Sequence, residues 1–163
     1  MGSRGSVIPH FLSIKEGEPL PITDERMTRF MISLEEGVEL VLLAFEDSVG
    51  GEIYVKKIPS MKVVDIAKSI RENPKINIVG IRPGEKLHEQ MIGIEDAPFT
   101  YEYDSYFKIL PSIHNWSASK ERIKNGKKVD DRFIYSSDNN NAWMACDELK
   151  KWVSLNKEKI GSI

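Results

Sequence analysis

The sequence predicts a small mixed α/β or α+β unit. Helical and strand periodicities are both present, but they do not alternate strictly, which argues against a complete doubly wound sheet. The glycines Gly2, Gly5, Gly17, Gly50 and Gly51 form neither G-x-G-x-x-G nor a P-loop lysine motif, so the usual device for cradling a pyrophosphate is missing. The chain has 163 residues, 40% of them hydrophobic and 29% charged. That is enough for one core and excludes a disordered chain.

Val7 to Ile14 reads as a helix, with Ser6 as its N-cap, Pro9 tolerated in its first turn, and Gly17 and Pro19 ending it. Leu20 to Thr23 and Arg29 to Ile32 read as short extended pieces around a turn at Asp24-Glu25. Ser33 opens the clearest helix. Ser33 and Glu36 make a capping box, and Leu34, Val38, Val41, Leu42 and Phe45 fall on one apolar face before Gly50-Gly51. Glu52 to Lys56 alternates as a strand. Val63, Ile66, Ala67 and Ile70 predict a second amphipathic helix, ended by Asn73-Pro74. Ile76 to Ile81 is a further strand, followed by a turn at Arg82-Pro83-Gly84 and a short helix from Glu85 to Met91. Thr100 to Tyr103 and Tyr106 to Leu110 pair as a hairpin. Pro111 to Asn141 lacks periodicity and reads as long loops, and Ala145, Leu149, Trp152 and Val153 mark a last helix.

Charge and cysteine content narrow the function classes. Lys and Arg total 23 against 25 Asp and Glu, a net charge of -2, with no overall pull toward nucleic acid or an anionic membrane. Charged residues interrupt every apolar run short of a membrane span, and Met1 to Ser6 lack a signal peptide's apolar stretch. Cys146 is the one cysteine, so no intramolecular disulfide or multi-cysteine zinc site forms. These features predict a reducing, cytoplasmic compartment. Cys146 itself reads as an inert thiol in a core-facing helix.

Several residues carry chemistry. Glu85, His88 and Glu89 would share one face of the short helix, but a single Glu-x-x-His pair falls short of a di-metal set, and no metal is expected. His10 and His114 have no ligand-spaced partners. Arg26 and Arg29 are either a solvated turn or a pair for an anionic ligand, since guanidinium forks match phosphate oxygens. Arg82 and Glu85 follow a strand end, where α/β proteins place ligand groups. Arg82 could donate to phosphate or carbonyl and Glu85 could accept from ribose hydroxyls. A salt-bridged turn explains them equally well. Tyr101, Tyr103 and Tyr106 lack basic interleaving and read as hairpin packing.

Six ordered motifs are specific in combination: Gly2-Ser3-Arg4-Gly5-Ser6-Val7-Ile8-Pro9, Pro21-Ile22-Thr23-Asp24, Arg26-Met27-Thr28-Arg29-Phe30, Gly50-Gly51-Glu52-Ile53, Lys57-Ile58-Pro59-Ser60-Met61-Lys62 and Gly80 through Glu89. Together they resemble the C-terminal half of the inverting UDP-N-acetylglucosamine 4,6-dehydratases. These are extended short-chain dehydrogenase/reductase relatives of the CapD-like polysaccharide-biosynthesis type. Tyr135-Ser136-Ser137-Asp138-Asn139-Asn140 with Trp143 resembles the branch that begins pseudaminic acid synthesis.

The resemblance implies the substrate-binding portion of an extended short-chain dehydrogenase/reductase, lacking the main Rossmann sheet. Residues 1–110 would form the UDP-sugar-binding portion, and 111–163 a loop-rich extension ending in a helix and packed on the same unit. Gly2, Ser3 and Arg4 match a loop that touches NADP; Val7 and Thr23 match positions beside the UDP-sugar; Arg82 and Glu85 match the pair that holds uridine and ribose. Arg29 is a further candidate for the diphosphate, from charge and position. In the family the catalytic Tyr-x-x-x-Lys motif lies in a preceding half. Here the residues four positions after Tyr54, Tyr101, Tyr103, Tyr106 and Tyr135 are Ile58, Ser105, Phe107, Leu110 and Asn139, so no catalytic residue is expected and the chain alone would be inactive. The reaction implied for a whole enzyme is internal redox: hydride leaves C4 of the sugar, water is lost across C5–C6, and hydride returns to C6 with inversion at C5. The expected partners are UDP-N-acetylglucosamine and an N-terminal Rossmann half. The alternatives are an interaction or homo-oligomerisation module docking through the helix at Ser33 to Phe45, or the same portion of a UDP-sugar epimerase.

Overall fold

A computed structural model describes residues 1–3, 5–113 and 119–161. Among these residues it has five α-helices and four small sheets, a mixed α/β architecture without a large parallel sheet. The chain opens with α1 (Val7–Ser13), β1 (Leu20–Ile22) and β2 (Thr28–Phe30). Next come α2 (Leu34–Asp47), β3 (Ile53–Lys56), β4 (Ser60–Lys62) and α3 (Val63–Ile70). Four strands follow: β5 (Ile76–Ile78), β6 (Gln90–Ile92), β7 (Thr100–Glu102) and β8 (Tyr106–Ile109). The remainder holds α4 (Lys120–Ile123), β9 (Lys127–Lys128), β10 (Tyr135–Ser136) and α5 (Cys146–Leu155).

One core gathers Ile8 and Phe11 of α1, Leu20 and Ile22 of β1, Met61 of β4, Val63, Ile66 and Ala67 of α3, and Leu149 of α5. Met27 and Met31 flank β2 in the same cluster. The four-stranded antiparallel sheet β3-β8-β7-β9 carries the second core, with Val55, Phe107 and Ile109 packed against Ile92 and Tyr135. Phe107 meets both Phe133 and Tyr135 at 5.1 Å between ring centroids. The Tyr135 hydroxyl accepts from Ile58 N–H and donates to Ile58 C=O, each at 3.0 Å, so its buried oxygen is satisfied.

The capping box forms as expected. Ser33 Oγ accepts from Glu36 N–H at 3.2 Å, and Glu36 Oε2 accepts from Ser33 N–H at 2.8 Å. Ser6 occupies the N-cap position of α1, but its hydroxyl donates to Ser3 C=O at 2.8 Å instead of capping the helix. The hairpin of β7 and β8 forms, and Tyr103 and Tyr106 stack at 4.5 Å with planes 5° apart.

Two expectations need correction, at the short helix from Glu85 and at the span 111–141. The apolar stripe of α2 forms as one helical face and lies largely exposed, Leu34 at 54% and Phe45 at 80%. Residues 85–89 are not helical. They follow the turn at Pro83-Gly84 through a bend at Leu87-His88 into β6, held by hydrogen bonds from Arg29 and Thr28 of β2. The span 111–141 is not all loop. Among its described residues, α4, β9 and β10 form: α4 is held by Lys108 donating to Arg122 C=O, and β10 pairs with β6. Strand β4, which pairs antiparallel with β2, carries no periodicity signal in three residues.

Candidate nucleotide-sugar site

Strands β1 and β5 pair in parallel, with Leu20 opposite Ile76 and Ile22 opposite Ile78. Beyond the pair, Val79 N–H donates to Ile22 C=O at 2.9 Å, which carries the alignment one step further. Thr23 and the segment from Val79 to Glu85 therefore leave the same end of a short parallel sheet. α1 lies beside that end, because Ile8 and Phe11 anchor it in the core. A cavity of about 270 Å³ opens between them. Its walls are Gly5 to Val7, His10 and Phe11 from the first loop and α1, Pro21 to Thr23 from β1, Met27 and Arg29 around β2, Val63, and Val79, Arg82 and Glu85.

Five sequence-predicted residues, Val7, Thr23, Arg29, Arg82 and Glu85, thus line one cavity. Glu85 is fixed at both oxygens. Thr23 Oγ1 donates to Oε1 at 3.1 Å, and the Arg82 amide donates to Oε2 at 3.2 Å. The turn closes with Glu85 N–H donating to Arg82 C=O at 3.0 Å. Gly84 in this turn sits at φ 82°, a left-handed conformation that glycine adopts without a Cβ penalty. The Arg82 guanidinium makes no hydrogen bond or ion pair with any described residue, and Arg82 is exposed. A fixed acceptor therefore stands three residues from a free, permanently charged donor fork.

Arg29 is arranged differently. One terminal nitrogen donates to Thr28 C=O at 2.7 Å and Leu87 C=O at 3.2 Å. The other reaches Lys86 C=O at 3.2 Å and Met27 Sδ at 3.0 Å, and Nε lies 3.9 Å from Glu89. The guanidinium buckles residues 86–89 onto β2. Arg26 forks onto Asp24 at 2.8 and 2.9 Å, and that pairing holds the Asp24 carboxyl down at about 2. Of the two arginines, Arg29 lines the cavity and Arg26 does not. Arg29→Lys is expected to lower stability by about 1–2 kcal/mol in urea unfolding, because an ammonium cannot reach carbonyls on both sides at once. Amide exchange across residues 86–89 should quicken with it. Unchanged exchange there would show that the loop does not need this buckle.

The residues around the buckle form a connected network. Thr28 Oγ1 lies 2.7 Å from His88 Nδ1 and 2.6 Å from Ser137 Oγ, and Ser137 Oγ accepts from Glu89 N–H at 2.9 Å. Glu89 Oε2 accepts from Phe30 N–H at 2.7 Å. Glu85, His88 and Glu89 therefore face three different partners and do not converge as ligands.

Of the loop residues expected to touch a cofactor, Gly2 and Ser3 do not line this cavity, and Arg4 lies outside the described residues. Gly2 is buried against Trp152, where an added Cβ would stand 3.0 Å from the ring, and its carbonyl accepts from Gly161 N–H at 2.8 Å. Ser3 C=O is taken up by Ser6.

His10, Phe11, Met27, Val63 and Val79 also line the cavity, and sequence spacing did not point to them. Their neighbours lie dozens of positions away along the chain, and periodicity reports only local partners. A second cavity of about 270 Å³ adjoins the first through Gly5, Ser6, Val7 and Arg29, and is walled further by Met1, Ile8, Phe30, Met31 and Glu89. A third, of about 330 Å³, lies over Phe107, Phe133 and Tyr135. Two of its polar side chains are already engaged, Lys57 with Glu102 at 2.7 Å and Asn140 with Ile58 C=O at 2.7 Å.

Comparison with known proteins accords with this geometry. Residues 1–111 match the family described as "Polysaccharide biosynthesis protein". The chain belongs to that family. It is 51% identical over 161 residues to the UDP-N-acetylglucosamine 4,6-dehydratase (inverting) of Campylobacter jejuni subsp. jejuni, covering 94% of this chain and 48% of that protein. It is 37% identical over 156 residues to the UDP-glucose 4-epimerase of Rickettsia akari, covering 93% and 46%. The X-ray structure of Pen from Bacillus thuringiensis superposes with a TM-score of 0.75 at 32% identity, covering 97% of this chain and 46% of that one. The chain spans about half the length of the curated relatives it matches. Among the described residues, no helix is long and apolar enough to cross a membrane.

Proposed function

We propose that these 163 residues are the UDP-sugar-binding portion of a cytoplasmic UDP-N-acetylglucosamine 4,6-dehydratase. The observation that carries the reading is the convergence of Val7, Thr23, Arg82 and Glu85, far apart in sequence, on one cavity. Arg82 grips the nucleotide with its guanidinium fork, which has no partner among the described residues. Glu85, held by Thr23 and the Arg82 amide, accepts from the ribose hydroxyls. Val7 and Thr23 form the wall beside the ligand, and Arg29 keeps the 86–89 segment in place. The grip belongs to residues 1–110, with 111–163 packed against it. Holding the remote nucleotide positions the sugar for chemistry performed elsewhere, which is how binding energy away from the reacting atoms contributes to rate.

In a full-length protein of this type, NADP would supply hydride acceptance and return. The Gly2-Ser3-Arg4 loop would touch it only at an edge, and the remaining contacts and the catalytic groups would come from residues outside this chain. The dehydratase is favoured over an epimerase by the higher identity, 51% against 37%.

Calorimetry on the 163-residue chain tests the reading. UDP and UDP-N-acetylglucosamine should bind weakly, ADP should not, and UDP-N-acetylglucosamine should not turn over with added NADP. Absence of UDP binding at millimolar concentration, or equal binding of ADP, would overturn it.

A further inference from the structure

The cavity's cationic groups are unequally available, and this points to one that the family resemblance does not supply. A sugar nucleotide brings a diphosphate dianion, which needs donors or positive charge opposite it. Arg29 lines the cavity, but its terminal nitrogens are committed to the backbone of residues 28 and 86–87 and to Met27. Arg26 is locked to Asp24. Among the described residues this leaves Arg82 and His10 as the lining side chains with positive or protonatable groups and no hydrogen bond to the protein. His10 stands on α1, one residue before the core anchor Phe11, so the backbone beneath it is fixed. Its carbonyl accepts from Ser13 Oγ at 2.7 Å, while its ring is exposed.

We propose that His10 is a second phosphate-binding group of this cavity, in addition to Arg82, so that affinity for a nucleoside diphosphate sugar rises as His10 takes up a proton. The proposal rests on the UDP-sugar reading and deepens it. The charged groups sharing the cavity are Arg29 from β2, and Arg82 and Glu85 from the segment after β5. The arginines stay charged throughout the neutral range, and carboxylates ordinarily titrate well below it. Among the lining residues, histidine is the side chain whose usual titration falls between about pH 5 and 8. His88 is the other described histidine near this region, and it faces Thr28 and Asp138 outside the cavity lining.

UDP-N-acetylglucosamine is the right probe, because UDP's own terminal phosphate titrates near neutrality and would confuse the profile. Calorimetry on the whole chain should give about three- to ten-fold tighter binding at pH 6 than at pH 8. His10→Asn should remove that difference, binding at pH 6 as the unaltered chain binds at pH 8. Binding that is pH-independent in the unaltered chain overturns the role of His10 and leaves the UDP-sugar reading standing. So does a pH profile that survives in H10N, which would assign the titration to another group. No binding at either pH overturns both. Circular dichroism on H10N guards against misfolding, and His10→Lys gives a second check. A permanent cation there should bind at pH 8 as tightly as the unaltered chain does at pH 6, and failure to do so with the fold intact also overturns the proposal.

Discussion

Arg82→Ala is expected to weaken UDP-N-acetylglucosamine binding by about ten- to hundred-fold while leaving thermal unfolding unchanged. The binding loss follows from the charge-assisted hydrogen bonds of a guanidinium fork, each contributing about 1.5–3 kcal/mol when well formed. The unchanged unfolding follows from exposure and from the absence of any described protein partner for that fork, since such surface substitutions usually stay within about 0.5 kcal/mol. The backbone role of Arg82 survives in alanine, because it is the amide of residue 82 that donates to Glu85. Glu85→Gln offers a contrast: it keeps a carbonyl oxygen for Thr23 or for the amide but removes the carboxylate, so its loss should be smaller. Calorimetry and a thermal melt on each variant decide the matter. Affinity in R82A within a factor of about two of the unaltered chain would remove Arg82 from the site.

The contrast between Arg82 and Arg29 shows where sequence reading succeeds and where it stops. Both arginines are visible as cations near extended segments, and a family resemblance can point to either. Only the folded chain shows that Arg29 turns inward to three backbone carbonyls while the Arg82 fork meets none of the described residues. The capping box at Ser33 was legible because both of its hydrogen bonds lie within one helical turn. The β7–β8 hairpin was legible for a similar reason, its partners being close in sequence. The segment 85–89 was not. Its helical spacing is real, but hydrogen bonds from β2 and Ser137, about 50 residues away in either direction, hold it in a bend against them. The α2 stripe teaches the complementary lesson. Periodicity names the face of a helix without naming what covers it, and here Val38, Val41 and Leu42 stay exposed. His10 has no ligand-spaced partner along the chain, and only the folded cavity, which it lines together with Arg82, gives it a candidate role.

The largest stability effect is expected far from the cavity, at Asp47. Lys108 on β8 is fully buried, and its ammonium pairs with Asp47 at the end of α2 and donates to Arg122 C=O at 2.8 Å. It sits between two aromatic faces, 5.4 Å from the Tyr54 centroid and 5.2 Å from that of Tyr103. Asp47 also accepts from Tyr54 Oη at 2.8 Å and pairs with Lys124. Burial alone would raise the Asp47 carboxyl, but the hydrogen bonds from Lys108, Lys124 and Tyr54 outweigh it and hold the group at about 2. A carboxyl depressed in the folded state stabilises fully above its unfolded value of about 4, and that stability is lost as pH falls from about 4 toward 2. Acid unfolding should therefore begin in that window and move upward in any variant that weakens the cluster. Asp47→Ala leaves a buried ammonium with two aromatic faces and one carbonyl, which should cost about 3–5 kcal/mol in urea unfolding near neutral pH. Adding Lys108→Met removes the stranded charge with a side chain of similar length, so the double variant should recover most of that loss. A double variant as unstable as Asp47→Ala alone would mean that the loss comes from packing at the end of α2 and not from the unpaired charge.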